Sequence, residues 1–221
     1  MNTRRRHLLI TTTTGLACAS LGLPALASSR RALAAMTDGP FYPPSPWRER
    51  GPLAGDWDAD LTRVERQGQV QTARGEHLGL QLRLVDSQDR LVDNAQIEIW
   101  QCDALAQYRH PQVERLSGAF DPGFQGFGAA RSGPDGVAKM RTIKPVAYPG
   151  RTPHIHIKVR HASWGEITSQ LFIAGDPGNA RDFLWRAVPE AQRSSHDMRL
   201  MPAESTPGLR WTAEHVVVVP A

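Results

Sequence analysis

The stretch from residue 141 to residue 170, RTIKPVAYPGRTPHIHIKVRHASWGEITSQ, combines an alternating, strand-like run with a loop bounded by prolines. From His154 to Ile157 histidine and isoleucine alternate, so a β-strand would place both imidazoles on one face and both isoleucines on the other. Tyr148 precedes this strand across a loop that contains two prolines. Two such histidines with a phenol close by form half of a metal site. The more frequent alternative is a surface or packed histidine pair.

Further alternating runs indicate that most of the chain consists of short strands. Leucines alternate with smaller or polar residues over 78–84, and residues 96–101 alternate again, so these runs form either a hairpin or a sheet corner. The 19 glycines and 17 prolines also favour short strands over long helices. We expect further strands at 137–143, 169–174 and 214–219 and one short helix within 179–195. The pattern predicts an all-β fold, an antiparallel β-sandwich with long loops.

The first 27 residues have the pattern of an export signal. Arginines at positions 4–6 form a basic start, residues 8–23 are moderately apolar and uncharged, and Ala25-Leu26-Ala27 is a small-x-small cleavage site. This order is typical of a twin-arginine signal peptide, with cleavage as late as residue 34 as an alternative. We therefore expect a bacterial periplasmic or secreted protein that has no membrane attachment after cleavage. The alternatives are an ordinary amphipathic N-terminal helix and a short membrane anchor, but the apolar run contains four threonines and is too short and too polar to span a membrane.

The remaining chain has little net charge and one cysteine. The whole sequence carries 26 basic and 22 acidic residues, so removal of the three leader arginines leaves 23 against 22, or +1. No basic run remains, which argues against a nucleic-acid partner. Cys102 has no second cysteine outside the leader, so no intramolecular disulfide is expected. We predict an extended arm over residues 28–74 and the sandwich over 75–221, and the arm could also reach a partner subunit in a homo-oligomer.

The tyrosines point to a particular kind of metal. The chain has three, and Tyr108 and Tyr148 lie in loops that follow strands, where a rigid scaffold can direct them to one point. The pKa of a free tyrosine is about 10, so ionising two of them at neutral pH needs a strong Lewis acid nearby. Hard anionic oxygen ligands favour ferric iron over zinc or ferrous iron. The predicted cofactor is therefore Fe(3+).

A set of motifs in one order carries a family resemblance. They are GPFY at 39–42, AQIEIWQ at 95–101 followed by Tyr108, FQGFG at 124–128, RTIKP at 141–145 followed by Tyr148, RTPHIH at 151–156 and SQLF at 169–172. With these motifs the chain resembles the intradiol ring-cleavage dioxygenases, the group that includes protocatechuate 3,4-dioxygenase and catechol 1,2-dioxygenase. The resemblance covers roughly residues 38–176.

The resemblance implies roles for six side chains. Those implied as ferric ligands are Tyr108, Tyr148, His154 and His156. By similarity Tyr148 is the axial tyrosinate that leaves the metal when a catechol binds, and Tyr108 is the one that stays. Arg151 resembles an arginine that stabilises negative charge on the ring, and Gln170 a glutamine that lines the same cavity. A solvated turn residue and a sheet residue bonded to backbone are the alternatives for these two.

The implied reaction takes a catechol-type substrate and O₂, opens the ring between the two hydroxylated carbons and gives a muconate-type diacid. Only five residues separate Tyr148 from His154, fewer than the family's well-known bacterial enzymes often have, so the identity of the catechol stays open. Two other functions also stay open. One is an exported β-sandwich module that binds a ligand without redox chemistry, and the other is a degenerate family member that holds zinc.

Overall fold

The computed structural model describes residues 30–50, 55–113 and 120–220. The predicted signal peptide at 1–27 lies outside these ranges. The described strands are β1 (Arg63–Arg66), β2 (Gln69–Thr72), β3 (His77–Val85), β4 (Gln96–Trp100), β5 (Phe127–Arg131), β6 (Val137–Ile143), β7 (His154–His161), β8 (Gly165–Ile173), β9 (Asp197–Met198), β10 (Met201–Pro202) and β11 (Trp211–Val218). The described helices are α1 (Ser45–Arg50), α2 (Phe183–Ala187) and α3 (Glu190–Arg193), with a 3₁₀ turn at Asn179–Arg181.

The main strands form two sheets around one core. One sheet has the order β10-β11-β3-β6 and the other the order β5-β4-β7-β8-β9. Most neighbouring strands are antiparallel, while the pairs β3/β11 and β8/β9 are parallel. The predicted all-β fold is therefore confirmed, with mixed rather than purely antiparallel sheets.

Side-chain alternation explains why the sheets face each other. In β3 every second side chain, from Leu78 to Leu84, is buried, and these leucines meet Ile97 and Ile99 of β4 in one apolar cluster. Burial of such aliphatic side chains stabilises the fold by roughly 1.5–3 kcal/mol each relative to exposure. β3 and β4 lie in different sheets, so the connection between them is a sheet corner and not a hairpin.

The segment 28–74 is extended only in part. Its described portion contains α1 and a separate hairpin, β1 with β2, both absent from the prediction of a continuous arm. These strands have four residues each, and side chains in them are almost all exposed, so they leave no alternating pattern to detect. The first part does lie against the sandwich: Leu33 N–H donates to Val218 O at 2.8 Å and Met36 N–H to Thr168 O at 2.8 Å.

A buried charge network fastens the arm to the second sheet. The Tyr42 hydroxyl donates to Glu98 Oε2 at 2.6 Å, and Arg48 and Arg160 each donate to the Tyr42 oxygen at 3.0 Å. Arg160 also pairs with Glu98. Since the side chain of Glu98 is 4% exposed, this carboxylate depends on its partners for compensation. Tyr42 is thus used in the arm and not as a third phenol of the site.

The remaining predictions hold with shifted boundaries. β6 matches the predicted strand, whereas β8 and β11 begin earlier than expected, at Gly165 and Trp211. The single helix expected within 179–195 is a 3₁₀ turn followed by α2 and α3. β5 was not predicted, because its sequence FGAAR lacks an alternating pattern. Of the helices in the described ranges, none is long and apolar enough to cross a membrane.

Candidate metal centre

The site lies where β4 ends and β7 begins. These strands are antiparallel neighbours, and Trp100 at the end of β4 is paired with His156 near the start of β7. The loop that follows β4 carries Tyr108, and the loop that precedes β7 carries Tyr148. Strand pairing therefore brings Tyr108 and His154, which are 46 residues apart in sequence, to the same edge of the sheet.

Three of the predicted ligands touch one another. The Tyr108 hydroxyl oxygen lies 3.4 Å from His154 Nε2 and 3.2 Å from His156 Nε2. All three residues are buried, with exposed fractions of 4%, 2% and 3%. The two imidazole nitrogens therefore converge on one phenol oxygen inside the protein.

Tyr148 stands on the solvent side of this group. Its ring centroid lies 5.6 Å from that of Tyr108 and 5.5 Å from that of His154. A tight turn brings it back to the strand, since Arg151 N–H donates to Tyr148 O at 2.9 Å. Tyr148 is half-buried, whereas the other three predicted ligands are buried.

Neighbouring groups fix the orientation of the rings. His154 Nδ1–H donates to Thr152 O at 2.7 Å, which leaves the Nε2 lone pair directed at Tyr108. Trp100 stacks on His156 with centroids 4.7 Å apart and an interplanar angle of 13°. Phe41 from the arm stacks on Tyr108 at 4.5 Å and 24°. The backbone thus orients His154, and aromatic contacts hold His156 and Tyr108.

Burial sets the protonation of the four groups. Desolvation lowers the pKa of His154 to about 4 and that of His156 well below its usual value, so both imidazoles are neutral at pH 7. Desolvation raises the pKa of Tyr108 well above 10. It also raises the pKa of Tyr148, against the opposing effect of the Arg151 cation. Both phenols therefore keep their protons unless a cation binds beside them.

This donor set fits a ferric ion. In the described part of the chain no three histidine, cysteine or carboxylate side chains form a metal-binding group, and the donors that lie beside the two imidazoles are the phenols of Tyr108 and Tyr148. Two neutral imidazoles supply nitrogen lone pairs, and two phenols become anionic oxygen donors next to a strong Lewis acid. A zinc site would more often use thiolates, imidazoles or a carboxylate.

Arg151 and Gln170 are also at the site. Arg151 Nη2 donates to Gln170 Oε1 at 2.5 Å, and Arg151 Nη1 lies 3.5 Å from the Tyr148 hydroxyl. Gln170 lies opposite His156 in the β7/β8 pair, and its side-chain Nε2 is buried without a partner in the described structure. An unpaired buried donor beside an arginine is a place for a polar ligand atom. All six predicted side chains are therefore in one region.

Two contributors escaped the sequence reasoning. Asp182 Oδ2 accepts from Arg151 Nε at 2.8 Å, with the Asp182 side chain fully buried. Its only signal in the sequence is an aspartate placed just before a helix, which indicates an N-cap and no active-site contact. Trp100 was part of a recognised motif, yet its stacking on His156 depends on strand register.

A cavity of about 470 Å³ opens beside the centre. Tyr148 and Arg151 line it from the site, and Asp176, Arg181 and Asp182 line it from the segment before α2. A volume of this size falls in the range of small-molecule sites. Of the four predicted ligands, Tyr148 is the one that lines this cavity, so a molecule in the cavity would contact it first.

Comparisons with known proteins agree in the kind of protein they find. The profile of a family described as Dioxygenase matches residues 49–212. The protocatechuate 3,4-dioxygenase beta chain of Burkholderia cepacia is 32% identical over 174 residues, 70% of this chain and 72% of that protein.

Solved structures share the fold at lower identity. The dioxygenase domain of a dioxygenase and carbohydrate-binding protein fusion from Streptomyces sp. SirexAA-E has a TM-score of 0.59 and 23% identity, over 86% of this chain and 99% of that one. An intradiol ring-cleavage dioxygenase from Tetranychus urticae has a TM-score of 0.56 and 20% identity, over 74% and 86%. The 3-chlorocatechol 1,2-dioxygenase from Rhodococcus opacus 1CP has a TM-score of 0.60 and 18% identity, over 87% and 74%.

Proposed function

Since this chain belongs to the intradiol ring-cleavage dioxygenase family, we propose that it is a non-haem Fe(III) enzyme that opens catechol-type rings between the two hydroxylated carbons. The observation that carries the proposal is the convergence of His154 Nε2 and His156 Nε2 on the Tyr108 oxygen, with Tyr148 beside them. The products would be muconate-type diacids. Both oxygen atoms of O₂ enter the product, so the reaction needs no external reductant.

The iron would be held by Tyr108, Tyr148, His154 and His156. When bound, ferric iron would chelate the two catechol oxygens and make the ring reactive toward O₂. Trp100 and Phe41 keep the imidazole of His156 and the phenol of Tyr108 in place on their outer sides. Tyr108, His154 and His156 are therefore buried, whereas Tyr148 is half-buried and lines the cavity.

Tyr148 is the residue best placed to take a proton from the substrate. It lines the cavity and is only half-buried. When it is not bound to iron, its phenolate oxygen would be basic enough to accept a proton from the substrate. The Arg151 cation lies 3.5 Å from that oxygen and lowers the pKa of Tyr148 against the effect of burial. This contact limits how basic the phenolate becomes.

Arg151 and Gln170 would act on the ring. The guanidinium is held beside Tyr148, so it can stabilise negative charge that develops on the ring carbon. Gln170 Oε1 accepts from the guanidinium, and its buried Nε2 remains as a donor for a substrate oxygen. Both groups are fixed in the protein before substrate enters, which is the arrangement that electrostatic stabilisation requires.

The substrate class is a catechol whose ring carries a substituent. The cavity lined by Tyr148 and Arg151 is larger than an unsubstituted ring needs and is bordered by charged groups such as Arg181. The short loop between Tyr148 and His154 forms one side of this cavity through Gly150, Thr152 and Pro153. Oxygen uptake with a panel of catechol, 3,4-dihydroxybenzoate, chlorocatechol and 3,4-dihydroxycinnamate would rank the substituents.

Colour and oxygen uptake together test the proposal. Ferric tyrosinate absorbs visible light by charge transfer, so the iron-loaded protein should be coloured and should consume O₂ with at least one catechol. Protein that contains stoichiometric iron but is colourless would refute the tyrosinate site. Preferential binding of zinc, with no oxygen uptake, would support a degenerate metal-binding protein instead.

Two variants test the ligands directly. Tyr148→Phe and His156→Ala should each lower kcat for catechol cleavage at least a hundredfold, while the far-ultraviolet circular dichroism stays that of the native fold. His161→Ala is the matched control, because His161 lies on the same strand but at its outer end, against Trp164. Oxygen uptake at the wild-type rate in either site variant would refute the assignment.

The enzyme would act outside the cytoplasm. The order of basic, apolar and small residues in positions 1–27 supports export by the twin-arginine route. That route carries folded proteins, so iron could be inserted before export.

A further inference from the structure

Asp182 binds the guanidinium of Arg151 from the side away from Tyr148. Asp182 Oδ2 accepts from Arg151 Nε at 2.8 Å, and the side chains of the two residues are 0% and 9% exposed. Arg151 Nη2 donates to Gln170 at 2.5 Å, and Nη1 is directed at the Tyr148 hydroxyl at 3.5 Å. The guanidinium is planar and rigid, so a partner at each of three nitrogens fixes its orientation.

The two oxygens of Asp182 have separate partners. Oδ1 accepts from the backbone N–H groups of Leu184 and Trp185 at 2.9 and 3.1 Å and so caps α2. Oδ2 accepts from Arg151 Nε and from Thr152 N–H at 2.8 and 3.0 Å. The capping function therefore uses one oxygen only, and the second oxygen serves the site.

The charge of Asp182 is maintained in a buried position. Burial alone would raise the pKa of this carboxyl, but hydrogen bonds from Arg151 and from the backbone of Trp185 and Thr152 outweigh it and hold the pKa below its usual value. The ionised carboxylate thus balances the charge of Arg151 at Nε, while Nη1 points toward Tyr148. The face of the guanidinium toward Tyr148 stays available for charge on the substrate.

From this geometry we propose that Asp182 is a positioning residue for the reaction, which holds Arg151 at the orientation that stabilises the negatively charged ring. The inference rests on the proposed function of Arg151. It adds a residue outside the ligand set, and it ties the site to the turn and helix at residues 179–187, of which Arg181 and Asp182 line the cavity. Asp182 is not one of the predicted iron ligands, and its role runs through Arg151, whose Nε it binds.

Asp182→Asn separates the two tasks of this side chain. Asparagine caps helices about as well as aspartate, so its oxygen can retain the contacts with Leu184 and Trp185. Its amide NH₂ group would then face Arg151 Nε–H and Thr152 N–H. All three groups are donors, so both hydrogen bonds would be lost. We expect kcat for the best catechol to fall about tenfold with KM changed less than threefold, because Arg151 would be misplaced for the transition state.

A double-mutant cycle with Arg151→Gln identifies the path of the effect. If Asp182 acts through Arg151, Asp182→Asn should change kcat less than twofold once Arg151 is replaced. An equal tenfold loss in both backgrounds would overturn the proposal, since the effect would then run through Thr152, whose carbonyl orients His154. A kcat for Asp182→Asn within twofold of wild type would overturn it as well.

Asp86→Asn is the control. Asp86 is also a buried carboxylate that accepts from an arginine Nε, that of Arg90 at 2.6 Å, and from two backbone N–H groups, but it lies in the turn after β3. We expect wild-type kcat in this variant. If Asp182→Asn does not fold by circular dichroism, Asp182→Ser replaces it in the cycle, because serine also caps helices and carries no charge.

A readout without iron keeps the inference separate from the proposed function. In metal-free, ¹⁵N-labelled protein the Nε–H resonance of Arg151, assigned by its loss in Arg151→Gln, should exchange slowly with solvent in wild type and become fast in Asp182→Asn. Slow exchange in both proteins would refute the positioning role whatever the activity. Absence of oxygen uptake by iron-loaded wild-type protein with every catechol would refute the proposed function and leave this measurement intact.

Discussion

Gly128→Ala should destabilise the protein strongly although it adds one methyl group. Gly128 lies in β5, and a Cβ built on it comes within 2.2 Å of the backbone oxygen of Asp58 and 2.6 Å of Leu61 Cδ1. Neither atom can retreat freely. The Asp58 oxygen accepts from Ala129 N–H at 3.0 Å, and Leu61 N–H donates to Arg141 O at 2.8 Å. The segment 58–61 is thus fixed to β5 on one side and to β6 on the other.

The expected cost follows from these contacts. Overpacking of a buried position costs about 1–3 kcal/mol, and one weakened backbone hydrogen bond adds about 1 kcal/mol. We therefore expect the free energy of unfolding to fall by about 3 kcal/mol and Tm by roughly 6–12 °C for a domain of this size. Urea unfolding of the metal-free protein, followed by circular dichroism, measures the change.

Gly55→Ala is the matched control for this experiment. No heavy atom lies within 4 Å of a Cβ built at Gly55, so alanine should be tolerated there without loss. If Gly128→Ala lies within 0.5 kcal/mol of Gly55→Ala, the clash with Asp58 is relieved at no cost and the reasoning fails. The motif FQGFG would then owe its second glycine to something other than this contact.

Two further predictions concern acid and export. Burial lowers the pKa of His154 to about 4, so between pH 6.5 and 4 the unfolded chain binds a proton that the native protein does not. The metal-free protein should therefore lose up to about 3 kcal/mol of stability as the pH falls through this window. The loss measured by urea unfolding should be smaller in His154→Gln, and equal losses in the two proteins would contradict this origin. Replacing the arginines at positions 4–6 by lysine keeps the positive charge but removes the arginine pair that the twin-arginine route recognises. We expect this variant to stay in the cytoplasm, as measured by cell fractionation. Unchanged export would exclude the twin-arginine route.

Local pattern was sufficient for the strands that have one buried face. In β3 and β6 the side chains alternate between core and surface, and both strands were predicted almost residue for residue. The pattern fails where burial does not alternate. β1 and β2 are nearly all exposed, and the centre of β5 consists of small residues, of which Gly128 lies close to segment 58–61.

The residues of the candidate site also fall into those that a local sequence pattern reveals and those that it does not. The histidine pair of β7 is visible in the sequence because both ligands lie on one strand, and Tyr148 is near them along the chain. Placing Tyr108 with them required the family resemblance. The pairing of Trp100 with His156 and the contact of Asp182 with Arg151 depend on register and on loop packing, which no local pattern encodes.

The parallel pair of β3 with β11 has a consequence for how the protein is made. β3 is near the start of the sandwich and β11 near the end of the chain, so the connection between them contains the whole second sheet and the predicted ligands. Contacts between residues so distant in sequence form slowly, because a long loop must close first. The first sheet therefore cannot be completed before β11 is made, so the strands of the second sheet and the predicted ligands are synthesised before the first sheet can close.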